Sequence, residues 1–346
     1  MATTSMLERE HIMSVAEKLL DAYLDANQSA FIWGPPGVGK SMVVRNAARR
    51  RKWGFIDKRL NLCEPVDMRG IPVPNEKTGT TRWFTPDELP QVLRDGEYGI
   101  LFLDEMNTAS PQMMAVALGL VLDRKVGEYT LPPGWRVVAA GNRSKDKASV
   151  TRMGTPLKDR FAHIIVKPDV DSFADWATDN DISPVLVAFL RLRPTLLHVM
   201  PNGDENCFPT PRSWVAAAKH IDADKSIRQL LFAGIVGDAY ATEFDGFIDL
   251  YRSLGNIADI VKNPTTANLP SEPSTRFAVC TALARMATKK NFESIMTYVK
   301  RIQAHGVPHK ESQSLVVHDA TRRDETLKNT PTYVEWIVDN QAMTLQ

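Results

Sequence analysis

The stretch that most constrains this chain is Gly34-Pro35-Pro36-Gly37-Val38-Gly39-Lys40-Ser41, set between the apolar run Ala30–Trp33 and a segment of helical character that begins near Gly39. Its spacing, G-x-x-x-x-G-K-[ST] between a strand and a helix, is that of a phosphate-binding loop. Glycines let successive backbone N–H groups turn inward around phosphate oxygens, and the helix N-terminus adds the positive end of its dipole. The expected nucleotide contacts run from Gly34 through Met42, with Lys40 reaching the β- and γ-phosphates and the Ser41 hydroxyl ligating Mg²⁺.

The surrounding sequence supplies the sheet such a loop needs. Short apolar runs recur at Ala30–Trp33, Phe55–Leu62, Ile100–Leu103, Val137–Ala140 and Ile164–Val166. Most are continuous rather than alternating, as in parallel strands covered on both faces. Alternation with helical stretches up to Pro168 predicts an α/β fold, a three-layer αβα core around a parallel sheet. Beyond it the pattern becomes helical, at 171–179, 184–192, 211–221, 226–241, 276–288, 291–303 and 331–341. The expected division is a nucleotide-binding core over 1–168, a helical lid over 169–263 and a helical C-terminal extension over 264–346. Ser/Thr-Pro pairs at Thr85, Ser110, Thr155, Ser183, Thr210 and Thr330 are candidate helix starts, because the hydroxyl caps and the proline presets φ. One or two of them are expected in ordinary turns. Thr85-Pro86-Asp87-Glu88 adds a glutamate at the capping-box position. Residues 70–84 and 124–137 read as hairpin insertions, the second with Pro132-Pro133-Gly134 near its turn.

About 65 residues after the loop, Ile100-Leu101-Phe102-Leu103 ends in Asp104-Glu105, the Walker-B arrangement. Asp104 is placed to hold Mg²⁺, and Glu105 to orient and deprotonate the attacking water. Lys40, Ser41, Asp104 and Glu105 together point to Mg²⁺-dependent NTP hydrolysis, and the absence of an Asn-Lys-x-Asp guanine-reading motif favours ATP.

From about 28 to 222 the chain resembles the AAA+ ATPases, and within them the MoxR-type branch with its dynein-related module. The resemblance implies that Asn142, delivered by Val137-Val138-Ala139-Ala140-Gly141, is the sensor-1 residue near the γ-phosphate. It implies that Arg160, in Leu157-Lys158-Asp159-Arg160-Phe161, is an arginine finger supplied to a neighbouring subunit, with Arg152 as the rival. It implies that Arg212, opening a helix in Thr210-Pro211-Arg212-Ser213-Trp214, is the sensor-2 arginine. The two hairpins resemble that branch's helix-2 and pre-sensor-1 insertions. Implied with these are a homo-oligomeric ring, commonly a hexamer, and remodelling or activation of a protein partner, often one with a von Willebrand factor A-type domain. Asn142, Arg160 and Arg212 also have structural readings, as a loop cap and as ion-pair residues.

Composition trims the alternatives. The length of 346 residues suggests roughly two domains. A formal net charge of +1 offers no field for non-specific binding of nucleic acid or anionic membrane. Cys63, Cys207 and Cys280 fit neither a disulfide framework nor a zinc module, and the histidines form no zinc-binding pair, His305 and His309 being split by Gly306 and Pro308. Glu8, Arg9, Glu10 and His11 interrupt any signal-peptide core, so a cytoplasmic protein without a membrane span is expected. Arg45, Arg49, Arg50, Arg51 and Lys52 read as a solvated helix face. Met106, Met113 and Met114 read as packing; Trp83 and Phe84 are open between hairpin packing and gripping a partner; Thr321-Arg322-Arg323-Asp324-Glu325 carries no assigned chemistry. Two other functions remain open: a motor or loader acting on nucleic acid, and an interaction switch that binds ATP with little turnover.

Overall fold

The computed structural model describes residues 15–143, 154–201, 203, 205–253, 257–270, 272–304 and 311–340. The chain divides into two compact units, Met1–Pro168 and Asp169–Gln346.

The first unit carries β1 (Ala30–Trp33), β2 (Gly54–Arg59), β3 (Ile71–Asn75), β4 (Thr80–Phe84), β5 (Gly99–Asp104), β6 (Lys125–Val126), β7 (Tyr129–Thr130), β8 (Trp135–Gly141) and β9 (Ala162–Ile165). Five of these form one parallel sheet in the order β2-β5-β8-β1-β9. Successive residues along each strand serve opposite faces. Ala30, Ile32, Ile100, Phe102, Val138 and Ala140 pack with Val44, Ala47 and Ala48 of the helix Lys40–Arg51 and with Leu20 and Leu24 of the helix Val15–Asp25. Phe31, Leu101, Leu103, Val137 and Ala139 meet Met106, Met113, Ala117 and Leu120 on the other side. Both faces are apolar, which is why the strands read as unbroken hydrophobic runs. The core is thus the three-layer αβα arrangement, with Met106, Met113 and Met114 as packing residues.

Several local expectations need correction. The run Phe55–Leu62 is a strand only to Arg59, and Leu60–Leu62 turns into a short 3₁₀ helix that buries Leu60 and leaves Leu62 exposed. Thr85-Pro86 opens no helix: Pro90 bars a helical conformation at Leu89, and Glu88 pairs with Lys58 instead of capping. The helix at Thr155 has Gly154 as its cap, one residue early. The hairpin β6–β7 turns at Gly127, where φ is 58°, and Pro132 instead accepts the Trp135 N–H at the entry to β8. The basic cluster is not simply solvated. Arg50 bonds Glu17 and Asp21, while Arg51 bonds Asp21 and Asp25, which ties the phosphate-loop helix to the helix before β1.

The hairpin β3–β4 pairs Ile71 with Phe84 at its base. Trp83 lies with its ring 4.3 Å from the Arg69 guanidinium, and its backbone N–H donates to Glu128 Oε1 in the second hairpin at 3.2 Å. Trp83 is therefore engaged within the unit, whereas Phe84 is exposed.

The second unit has no strand among its described residues. Phe189, Trp214, Phe232, Phe244 and Phe247 centre one apolar cluster, and Val279, Leu283, Ile295, Val299, Val316 and Trp336 belong to another. The expected helix 226–241 is two, Lys225–Val236 and Asp238–Ser253, broken at Gly237 with φ of 95°. The segment at Thr321 is also more than surface. Thr321 is buried, Arg322 pairs with Asp175 and Asp179, and Arg323 donates to the Ala287 carbonyl.

Candidate functional site

At the carboxyl ends of β1, β5 and β8 three segments converge. The loop after Trp33 carries Gly37 and Gly39 at φ of 72° and 101°, values open to glycine and costly for other residues. Gly39 precedes a 12-residue helix with no side-chain cap and no acidic residue in its first turn, so its leading N–H groups are left for an anion. Gly34 is fastened to the end of β8 by its N–H to the Gly141 carbonyl at 3.4 Å. Val166 also crowds it, since a side-chain carbon there would lie 2.8 Å from the Val166 carbonyl oxygen.

The Lys40 ammonium donates to the Gly34 carbonyl at 2.9 Å, the Pro35 carbonyl at 3.1 Å and Asn142 Oδ1 at 2.8 Å. Ser41 Oγ donates to Asp104 Oδ2 at 2.9 Å. These are two hard oxygen ligands side by side, the donor set Mg²⁺ takes, so the residues fit the ion. Asp104 Oδ1 accepts the Glu105 N–H at 2.9 Å, and Glu105 adopts a left-handed φ of 53°. Its carboxylate has no hydrogen bond or ion pair among the described residues. The structure thus brings together Lys40, Ser41, Asp104, Glu105 and Asn142 from positions far apart in the chain.

Arg160 stands apart, exposed at the turn before β9 and without an ion-pair partner among the described residues. Arg212 occupies the first turn of the helix Pro211–Ala218 in the second unit, also exposed and without an ion-pair partner among the described residues. That helix has a full capping box between Thr210 and Ser213. Arg152, His305 and His309 lie outside the described residues.

Two residues escaped the sequence reading. Asn107 is 3% exposed and bonds both backbone groups of Asn142; its only sequence signal is an amide side chain three residues past Asp104. Asp57 on β2 lies 3.5 Å from Arg45 and has a buried Oδ1 with no partner. Burial, and then the charge of Asp104, push its carboxyl above the usual range, against the opposing pull of Arg45 and Arg59.

A phosphate loop on an inner strand of a parallel sheet, with a Ser–Asp pair beside it, defines a P-loop nucleotide-binding domain. The family described as "AAA domain (dynein-related subfamily)" matches residues 29–161. The match lies within the first unit and takes in the phosphate loop, Asp104, Glu105 and Asn142, the parts of an ATPase site. Among solved structures, NtrX from Brucella abortus is 17% identical, with 74% of this chain covering 66% of that one at a TM-score of 0.39. The same protein in complex with ADP is 14% identical, covering 91% and 67% at 0.41. A point mutant of RuvB from Thermotoga maritima is 14% identical, covering 77% and 80% at 0.40. The chain thus spans about two thirds of the NtrX length. No curated protein matches significantly. No helix among the described residues is long and apolar enough to cross a membrane.

Proposed function

We propose that this chain is a MoxR-type AAA+ ATPase that hydrolyses ATP with Mg²⁺ as a homo-oligomeric ring, commonly of six subunits, and uses the cycle to remodel or activate a protein partner. The observation that carries the reading is the convergence of Lys40, Ser41, Asp104 and Asn142 within hydrogen-bonding distance at one end of the sheet. Lys40 and the loop N–H groups hold the β- and γ-phosphates. Ser41 and Asp104 would hold Mg²⁺, which when bound would supply positive charge to the phosphate oxygens. Glu105 takes the proton from water as its oxygen attacks the γ-phosphorus and ADP leaves. Asn142 orients that water. Arg160, exposed and unpaired, is suited to meet the nucleotide of an adjacent protomer, and Arg212 is suited to follow nucleotide state from the helical unit. A partner with a von Willebrand factor A-type domain follows from the family resemblance alone, and a cytoplasmic setting goes with this reading.

Lys40→Ala is expected to lose nucleotide binding, and Glu105→Gln to bind ATP without turnover. Mixing inactive Arg160→Ala and Glu105→Gln subunits is expected to restore activity, because some interfaces then hold both intact groups. Wild-type turnover in Glu105→Gln removes the base assignment, and no recovery at any mixing ratio removes the finger in trans. ATPase stimulation by DNA or RNA with steep salt dependence would replace the protein partner by nucleic acid.

A further inference from the structure

The 3₁₀ turn Met106–Thr108 follows directly on Glu105 and grips two parts of the site at once. Thr108 Oγ donates to the Glu105 carbonyl at 2.8 Å. From the same turn, Asn107 Nδ2 donates to the Asn142 carbonyl at 2.6 Å, and Asn107 Oδ1 accepts the Asn142 N–H at 3.2 Å. A primary amide is the side chain that offers one donor and one acceptor to the two backbone groups of a single residue. Gly141 makes the approach possible, since a side-chain carbon there would fall 2.7 Å from Asn107 Cγ and 3.0 Å from Phe31 Cζ. With its backbone held on both sides, Asn142 turns Oδ1 to the Lys40 ammonium at 2.8 Å. Its Nδ2 then remains the donor with no partner among the described residues.

We propose that Asn107 is a positioning residue for ATP hydrolysis: it fixes Asn142 relative to Glu105 and Lys40, so that the base and the water-orienting amide keep one geometry through the cycle. The proposal rests on the reading of Asn142 as the group beside the γ-phosphate. Asn107 touches neither substrate nor metal and acts through Asn142. Its replacement should therefore slow the chemical step and leave nucleotide affinity unchanged, whereas a purely structural residue would alter only the amount of folded protein.

The test uses the full chain with Mg²⁺ and ATP, in single-turnover hydrolysis of pre-bound nucleotide, which reads the rate per occupied site. Asn107→Asp keeps the size and the acceptor but sets a carboxylate oxygen against the Asn142 carbonyl. It should hydrolyse about tenfold to a hundredfold more slowly, the scale for a misplaced catalytic group. ATP affinity, followed with a fluorescent analogue, should match wild type. The deficit relative to wild type should shrink as pH falls, because a protonated Asp regains a donor. Asn107→Ser, which is shorter and uncharged, should be slow at every pH. The double variant Asn107→Asp/Asn142→Ala should be no slower than Asn142→Ala alone. Wild-type rate in Asn107→Asp, or multiplicative losses in the double variant, overturns the proposal. If Asn142→Ala is slow and Asn107→Asp is not, the positioning role alone falls. If Asn142→Ala hydrolyses at the wild-type rate, the reading of Asn142 falls and the proposal with it.

Discussion

Gly141→Ala probes the tightest junction of the site, where β8 hands the chain to Asn142. The added methyl group would lie 2.7 Å from Asn107 Cγ, closer than real side-chain carbons come, and 3.0 Å from Phe31 Cζ, a tight contact. Phe31 is fully buried and stacked on Trp33 with ring centroids 4.1 Å apart, so it has little room to yield. The Asn107 amide must give way, and with it both hydrogen bonds to the Asn142 backbone. Leaving such buried groups unsatisfied costs about 1–3 kcal/mol each, partly offset by about 0.4–1 kcal/mol from the lower entropy of an unfolded chain with Ala. The net expectation is a loss of about 2–4 kcal/mol, since β8 can relax a little. Denaturant titration followed by amide exchange in β1 and β8 reports on the first unit alone and measures this. In an Asn107→Ala background the methyl group meets no amide, so Gly141→Ala should then cost less than half as much. A loss under about 0.5 kcal/mol in the wild-type background, or equal losses in the two backgrounds, would refute the argument.

Asp57→Asn tests a second strained polar position. Burial raises the Asp57 carboxyl above its ordinary range, so the folded chain binds this proton more readily than the unfolded one. Stability from this group is then present at low pH and lost as pH rises from the unfolded value through the raised folded one. Asparagine removes that loss, and the Arg45 bridge given up is weak because Arg45 is 59% exposed. The variant should therefore be more stable than wild type at pH 7 without Mg²⁺, with the advantage fading in acid, as read from urea midpoints; lower stability at pH 7 would show that the ion pair dominates. In the second unit Arg228 is fully buried and bonds Asp245 at 2.6 Å and Asp249 at 2.7 Å. Truncation to Ala should cost about 3 kcal/mol in denaturant unfolding, and Lys should recover less than half, because one ammonium cannot replace a fork to two carboxylates. A cost below about 1 kcal/mol would count against a structural role for this pair.

The parts of the fold legible in the sequence are those decided by local chemistry. The central strands announced themselves because both sheet faces are covered, so Ile100 through Leu103 had to be apolar without alternation. Ser110, Thr210 and Thr330 act as caps because a hydroxyl beside a proline needs only the next turn for a partner. The reading failed where a neighbour overrode the local signal. Pro90 suppressed the helix at Thr85, and the acidic residues of the helix Val15–Asp25 drew in Arg50 and Arg51. At the site, the phosphate loop and the Asp104-Glu105 pair are written as contiguous residues. Asn107 was not visible, because its partners are backbone atoms 35 residues away and any residue at 142 would present them. A motif advertises the side chains that touch a ligand and stays silent on those that hold other backbone in place.

The same limit applies to Arg160, whose placement depends on contacts that no motif contains. Trp33, the last residue of β1, donates its indole N–H to His163 Nδ1 at 2.8 Å. Indole nitrogen only donates, so Nδ1 must accept, and the ring's proton sits on Nε2, which donates to the Lys158 carbonyl at 3.0 Å. The imidazole thus spans from the residue before Gly34 to the short helix Thr155–Lys158, two residues ahead of Arg160. The register of β1 on β9, with Phe31 opposite His163, makes the span short although the residues are 130 apart in sequence. The residue that enters the phosphate loop and the turn that ends in Arg160 are therefore held together through a single imidazole, a link between two segments that neither segment's own sequence spells out.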